Sequence, residues 1–411
     1  MLSVAEAEKI ILDLVKPFAP EVDSEVLPLS QAIARILAED IISALDFPHW
    51  DNSAMDGYAF CYADLEDLAE LKLAIAPQEI AAGGKVRQVL AKGECMRIFT
   101  GGMLPDGADT VIMQEDTERV GDFLQLKAKP PKGEYVRRKG EFIRAGARLV
   151  SSGIKIGATE IGAIASARCQ QVKVYRQPKI AIISTGNELV SLESSQPLQA
   201  GQIIDSNLYA LSALINQAGA IAIPLGAVRD DLQKLETVIT QAIAQADLVI
   251  STGGVSVGDY DYIDGLLAKL GAEIHGRSVA IKPGKPLTIA NFGKVLYFGV
   301  AGNPVSAMVS FWRFIQGAIA KLGGANETYW HPQFIQANTT EDLHSQGRRE
   351  TYLWGVLTYQ RGKPIFRPVS NPSSGYSSGN LISAIGTNAI AVMRVHQTYV
   401  PADDQVLVMM V

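Results

Sequence analysis

The sequence predicts a multi-domain protein of class α/β plus β. A central, doubly wound, mostly parallel sheet domain is expected, with β-rich domains before it and a C-terminal β domain after it. Three observations carry this. The chain has 411 residues, more than one ordinary core holds. From Lys179 to Leu322, short apolar runs alternate with amphipathic ones, the pattern of a parallel sheet covered on both faces. Over 58–140, and again from Asn326 onward, short apolar runs broken by Gly, Pro and Asp read as β structure.

Taken in order, Ser3 to Val15 reads as an amphipathic helix. Ser3 is its N-cap, Glu6 completes a capping box, and Pro17 and Pro20 end it. Pro28-Leu29-Ser30 starts a second helical run through Ala38. A polar loop, Phe47 to Gly57, follows. Strands are expected at Leu71 to Ala76, Cys95 to Phe99, Thr110 to Gln114 and Phe123 to Leu126. In the sheet region, strands fall at Ile180 to Ile183, Ala220 to Leu225, Leu248 to Ile250, Leu287 to Ala290 and Val295 to Phe298. Helices fall at Leu208 to Gln217, Leu232 to Gln245, Ile263 to Leu270 and Val305 to Leu322. Gly323-Gly324 stops the last one.

Composition narrows the classes. With 47% hydrophobic and 19% charged residues the chain is globular, not disordered. Its 37 basic and 43 acidic residues, net charge −6, argue against a general nucleic-acid binder. Cys61, Cys95 and Cys169 are far apart and form no C-x-x-C pair, which argues against a disulfide framework or thiolate zinc site. No apolar run is long enough to cross a bilayer, and Glu6 and Glu8 stand where a signal peptide would be basic, then apolar. A cytoplasmic location with no membrane partner is expected.

The most informative stretch is S-T-G-G-V-S-V-G-D-Y-D-Y, Ser251 to Tyr262, between a buried-strand pattern and a helix pattern. Gly253, Gly254 and Gly258 leave backbone N–H groups open to an anion ahead of that helix. Asp259 and Asp261 offer hard oxygen ligands to a cation such as Mg²⁺. Alone, the stretch fits a nucleotide binder as well as a metal-dependent transferase. Three more polar loops follow strands of the same sheet: Ser184 to Glu188, Arg229 to Asp231, and Ala301 to Ser306. Each has a bland reading. Asp230-Asp231 caps helices well, and Asn303 before Pro304 is a natural N-cap. Ligands of open α/β sheets bind at the carboxyl ends of strands, so together the loops predict one crevice. Lys282-Pro283-Gly284-Lys285-Pro286 adds two cations in a stiff frame, at a rim or as a solvated turn. Asp51 to Gly57 and Arg97 to Gly102 are more polar than a hairpin needs. The Arg137-Arg138-Lys139 cluster reads as solvated surface or as an anion grip. No P-loop, G-x-G-x-x-G or G-x-S-x-G elbow is present.

These motifs resemble the molybdopterin molybdenumtransferases of the MoeA type, the family that includes the gephyrin E domain. The resemblance rests on D-N-S-A-M-D-G-Y-A (Asp51 to Ala59), R-I-F-T-G (Arg97 to Gly101) and S-T-G-N-E-L (Ser184 to Leu189). It continues through V-R-D-D (Val228 to Asp231), the Ser251 to Tyr262 stretch, K-P-G-K-P (Lys282 to Pro286) and G-N-P-V-S (Gly302 to Ser306). It covers essentially the whole chain in order.

The resemblance implies a homodimer of four-domain subunits: 27–46 with 141–177 as a linking domain, 47–140 as a small β-rich domain, 1–26 with 178–325 as a MogA-like α/β domain, and 326–411 as the C-terminal β domain. It implies insertion of molybdate into adenylylated molybdopterin, with Mg²⁺ and release of AMP, in a cleft shared between subunits. Molybdopterin adenylyltransferase and apo-molybdoenzymes are the implied partners. Carried over by motif, Asp56, Thr100, Glu188, Asp230, Lys282 and Lys285 are catalytic. Asp261 and Glu188 hold the metal. Gly253, Gly254, Ser256, Ser306, Ser378 and Arg137 bind the pterin or its anion. Three departures stand out. Phe142 replaces an expected acid, Val300-Ala301 precedes Gly302-Asn303-Pro304 where Leu-Pro is usual, and Tyr376 to Leu381 replaces Q-G-S-G-M-L. Rival readings are an adenylyltransferase, a molybdopterin-binding scaffold, and a nucleotide amidohydrolase sharing the sheet domain.

Overall fold

The computed structural model describes residues 1–66, 70–84, 89–253, 260–369 and 379–411, with backbone alone over 260–262. Helix α1 (Val4–Leu14) starts on the expected capping box: the Glu6 N–H donates to Ser3 Oγ (3.1 Å) and the Ser3 N–H to Glu6 Oε2 (2.7 Å). Its buried stripe, Val4, Ala7 and Ile11, packs into the core of the distant central sheet.

The helix expected from Pro28 to Ala38 does not form. Ser24–Pro28 is instead a strand, antiparallel to Gln171–Tyr175, and only Leu29–Gln31 makes a short 3-10 turn. The N–H groups of Ala34, Leu37 and Ala38 donate to the carbonyls of Ile156, Ile154 and Lys173. Long-range pairing outcompetes a short, weakly nucleated helix. Helix α2 (Ala158–Ser166), which the sequence pattern did not single out, closes this unit. Its core joins Leu37 and Ile41 to Val150, Ile164 and Val172, from two stretches far apart in the chain.

Between those stretches lies a six-stranded sheet in the order Thr110–Met113, Gly57–Phe60, Glu94–Ile98, Lys72–Ile80, Phe123–Leu126, Thr117–Val120. The four strands expected here all form, over Phe60, Leu73, Ile80, Met96 and Ile98.

The central sheet holds β1 (Lys179–Thr185), β2 (Ile221–Val228), β3 (Leu248–Thr252), β4 (Glu273–Ser278), β5 (Pro286–Phe292) and β6 (Val295–Val300). Its order is β2-β1-β3-β6-β5-β4. β2, β1, β3 and β6 run parallel; β5 and β4 add antiparallel pairings at one edge. Alternation explains the two layers. Ile180, Ile182, Leu248 and Ile250 face the core shared with α1, α3 (Ser206–Gln217), α6 (Pro304–Ser310) and α7 (Gln316–Leu322). Ala181, Ile183 and Val249 face α4 (Leu232–Gln245) and α5 (Tyr260–Lys269).

A single π-helical turn, Phe311–Ile315, joins α6 to α7 and carries Arg313. The buried Arg313 guanidinium forks onto Glu8 of α1 (2.6 and 3.0 Å) and donates to the Tyr352 hydroxyl (3.2 Å) of the C-terminal sheet. Burial alone would raise the Glu8 carboxyl, but Arg313 and His331 outweigh it and hold the carboxyl below its usual range. Removing one partner of such a pair costs about 3–5 kcal/mol.

The C-terminal six-stranded sheet packs over Leu353, Phe366, Ala391 and Val408. Ile281–Lys282 of the central region pairs parallel with its Glu350–Thr351.

Candidate active site

Parallel strands force their loops to one end. β2, β1, β3 and β6 finish side by side, and the loops after them line one cleft of about 1010 Å³. Thr185, Gly186, Glu188, Asp230, Thr252, Gly253 and Ala301 to Pro304 all contribute. The expectation of one crevice holds in the geometry. Apolar walls come from Leu189, Ile203, Ile204, Leu232 and Ile263, and Gly379 to Ile382 arrive from the C-terminal domain.

The floor depends on Gly253. Its φ is +88°, and a Cβ there would stand 2.1 Å from the Thr185 carbonyl oxygen. Asn187 and Asp230 close the rim reciprocally. Asn187 Nδ2 donates to Asp230 Oδ2 (3.0 Å), and the Asp230 N–H donates to Asn187 Oδ1 (3.3 Å). Asp231 caps α4 through the N–H groups of Gln233 and Lys234, as its position suggests. Glu188 is exposed at the mouth.

Two residues that the sequence did not single out sit deeper. Asp205 is 2% exposed and caps α3 by accepting the Leu208 N–H at Oδ1 (3.1 Å). Asn207 is 8% exposed, and its Nδ2 donates to Thr252 Oγ1 and the Gly302 carbonyl, both at 2.7 Å. Asp205 Oδ2 and Asn207 Oδ1 have no hydrogen-bond partner. The local sequence, Asp-Ser-Asn ahead of a helix, carries only a capping signal.

The other expected residues lie elsewhere. Asp56 and Thr100 meet in the N-terminal β-rich domain: Asp56 Oδ1 accepts the Thr100 N–H (2.7 Å) and hydroxyl (2.8 Å). The N–H, then the hydroxyl, then Arg97 hold the Asp56 carboxyl below its usual range. Arg137 pairs with Asn52 across two short strands. Its neighbours are neutralised, Arg138 by Asp51 (2.7 Å) and Lys139 by Asp46 (3.4 Å). Phe142, at the position where the sequence resemblance implies an acid, is exposed, its ring 5.9 Å from that of Phe47.

Lys282 is half-buried and Lys285 exposed, on a loop packed against the first turn of α6. At Gly284 (φ +103°) a Cβ would meet Ser310 Oγ at 3.0 Å. Ser306 is buried in that turn. None of Asp56, Thr100, Arg137, Lys282, Lys285 and Ser306 lines the cleft of its own chain. Gly254, Ser256, Ser378 and the Asp261 side chain lie outside the described residues. Among the described residues no three His, Cys, Asp or Glu side chains gather as a metal centre. The carboxylates at the cleft mouth nevertheless offer the oxygen chemistry that Mg²⁺ takes. Among the described residues, no helix is long and apolar enough to cross a membrane.

Comparison with known proteins covers the chain almost end to end. Family models described as the MoeA N-terminal region (domain I and II), a probable molybdopterin binding domain, and the MoeA C-terminal region (domain IV) match residues 2–167, 181–321 and 336–411. A molybdopterin molybdenumtransferase from Nostoc sp. is 46% identical over 100% of this chain and 94% of its own. The Haemophilus influenzae protein of the same name is 35% identical over 99% of this chain and 98% of its own. The crystal structure of a molybdopterin biosynthesis MoeA protein from Pyrococcus horikoshii OT3 superimposes with a TM-score of 0.80, at 26% identity, covering 100% of both chains.

Proposed function

Because the chain belongs to the molybdopterin molybdenumtransferase family, we infer that it works in molybdenum cofactor biosynthesis, inserting molybdate into adenylylated molybdopterin with Mg²⁺-dependent release of AMP. One observation carries the site: the loops of four parallel strands line a single cleft of about 1010 Å³, large enough for a dinucleotide-sized ligand.

Cleaving a phosphoanhydride demands charge neutralisation and orientation of the phosphates. Mg²⁺ supplies both when bound, and Glu188 with Asp261 would hold it. Asp230, kept in place by Asn187, faces the same mouth. Gly253 and Gly254 let the ligand reach the backbone, with Ser256, Ser306 and Ser378 beside the pterin or its anion. Lys282 and Lys285, which do not line the cleft itself, would meet molybdate or phosphate beyond its rim. Asp56, Thr100 and Arg137 lie outside their own chain's cleft, which supports a homodimer in which the partner supplies them. Hydrophobic clusters confined to 27–46 with 141–177 and to 47–140 support the four-domain division with the boundaries 27–46 and 141–177, 47–140, 1–26 and 178–325, and 326–411; the last has its own cluster but also lends Tyr352, Trp354, Ile390, Val392 and Met409 to the core of the α/β domain. The working location is cytoplasmic, beside a molybdopterin adenylyltransferase and the acceptor apo-molybdoenzymes. Full-length similarity, including both flanking regions, favours this reading over a lone adenylyltransferase.

The test is direct. Pure protein is mixed with adenylylated molybdopterin, Mg²⁺ and molybdate, and AMP is measured. Molybdate-dependent AMP release is expected; release indifferent to molybdate would overturn the reading.

A further inference from the structure

The cleft contains two deeply buried hydrogen-bond acceptors with nothing to accept. Asp205 and Asn207, 2% and 8% exposed, both line it, and Asp205 Oδ2 and Asn207 Oδ1 lack a partner. The amide orientation of Asn207 is not arbitrary. Its nitrogen donates to the Gly302 carbonyl, which can only accept, so turning the amide over would oppose two oxygens. Asp205 Oδ1 is committed to the cap of α3, leaving Oδ2 alone. Buried polar atoms are almost always satisfied, and an acceptor left without a donor is destabilising. Two such atoms in one cleft call for a ligand edge that donates twice.

The walls beside them say what kind of ligand. Leu189, Ile203, Ile204 and Ile263 give the cleft an apolar wall, which suits the face of a flat ring. Phosphate needs donors, and these two atoms are acceptors. A hydrated Mg²⁺ prefers a roomier, water-retaining shell. Adenine carries one amino group flanked by ring acceptors. The amino-pyrimidinone end of a pterin instead carries two adjacent donors, the 2-amino group and the N3–H.

We propose that Asp205 and Asn207 recognise the amino-pyrimidinone edge of the pterin, and that this pair sets the direction in which the substrate enters. The proposal rests on the reading that the cleft takes molybdopterin. The pterin then lies toward α3 and the strand ends, with its phosphate toward the mouth, where Glu188 and Asp230 stand.

The experiment measures binding of pterin and lumazine to the full chain by fluorescence. Lumazine replaces the 2-amino donor with an oxo acceptor and carries a proton on N1, while keeping the ring system and the N3–H. Wild-type protein is expected to prefer pterin by roughly tenfold or more. Asp205→Asn keeps an oxygen for the α3 cap and turns the orphan acceptor into a donor, so the preference is expected to vanish or invert. The wild-type comparison needs no variant, so misfolding of D205N leaves it intact. Equal affinities in wild type overturn the proposal, as does an unchanged ratio in D205N. Calorimetric binding of Mg²⁺ alone, lost in D205N, would also overturn it by making Asp205 a metal ligand, and GMP binding more tightly than pterin would overturn it by assigning the edge to guanine. Molybdopterin released from a molybdoenzyme is the control. If it fails to bind wild type, the reading of the cleft itself falls; if it binds while pterin and lumazine tie, only the recognition edge falls.

Discussion

The cleft of the central sheet and the Asp51 to Gly57 loop are both polar and glycine-bearing, yet their bonding is opposite. In the N-terminal loop the charges are spent internally. Asp56 is held by Thr100, Asp51 by Arg138 and the Lys139 N–H, and Arg97 by Gln114 while it stacks on Tyr58 and Phe99. In the cleft, Asp205 Oδ2 and Asn207 Oδ1 stay unmatched. A self-satisfied loop presents a fixed surface, whereas an unsatisfied cleft is organised around something it does not contain. The first region reads as a preformed wall, the second as a receptacle.

The contrast can be broken most severely at the cleft floor. Gly253→Ala adds a methyl group 2.1 Å from the Thr185 carbonyl oxygen at positive φ. A loss of about 2–3 kcal/mol in urea unfolding and abolished AMP release are expected. Native-like activity would mean that the floor is not rigid. At the rim, Asn187→Ala removes both bonds to Asp230 and should lower AMP release roughly tenfold. Its melting temperature should hardly change, so a large thermal loss would reassign Asn187 to the scaffold.

The N-terminal loop should answer to acid instead. The Ala145 N–H holds the Asp46 carboxyl low and the Thr100 N–H does so for Asp56. At Asp51 burial pushes up, but the Lys139 N–H and Arg138 outweigh it. A carboxyl lower in the folded than the unfolded chain stabilises above the ordinary Asp value, about pH 4, and loses that contribution as pH falls through its folded value. Emission from Trp50, beside Asp51, should therefore stay flat from pH 7 to about pH 4 and change below it; a transition near pH 6 would contradict the assignment. The smallest effect is chemical. Burial pushes the Cys95 thiol up to about 12, so mass spectrometry after thiol labelling at pH 8 should find it unmodified until the sheet behind the loop unfolds.

Local signals were legible in the sequence and distant ones were not. The Ser3–Glu6 box, the helix at Leu232–Gln245 and the strands of the parallel sheet follow from periodicity and capping within a few residues. So does convergence of the strand-end loops, which is a consequence of parallel topology. The run from Pro28 to Ala38 misleads because its N–H groups find carbonyls more than a hundred residues away. Asp205 and Asn207 are hidden because a cap and a binding group share the same letters. Leu381 and Ile382 enter the cleft from another domain, and nothing in their own neighbourhood announces it.

The ion pair between Glu8 and Arg313 spans 305 positions. A ribosome adding about 5–20 residues per second needs tens of seconds to make the second partner after the first. Throughout that interval α1 has its cap but not the sheet that covers Val4, Ala7 and Ile11. A helix made early is thus among the last to be secured. Newly made chains carry an uncovered apolar stripe near the amino terminus, suited to a chaperone, until the central domain is complete.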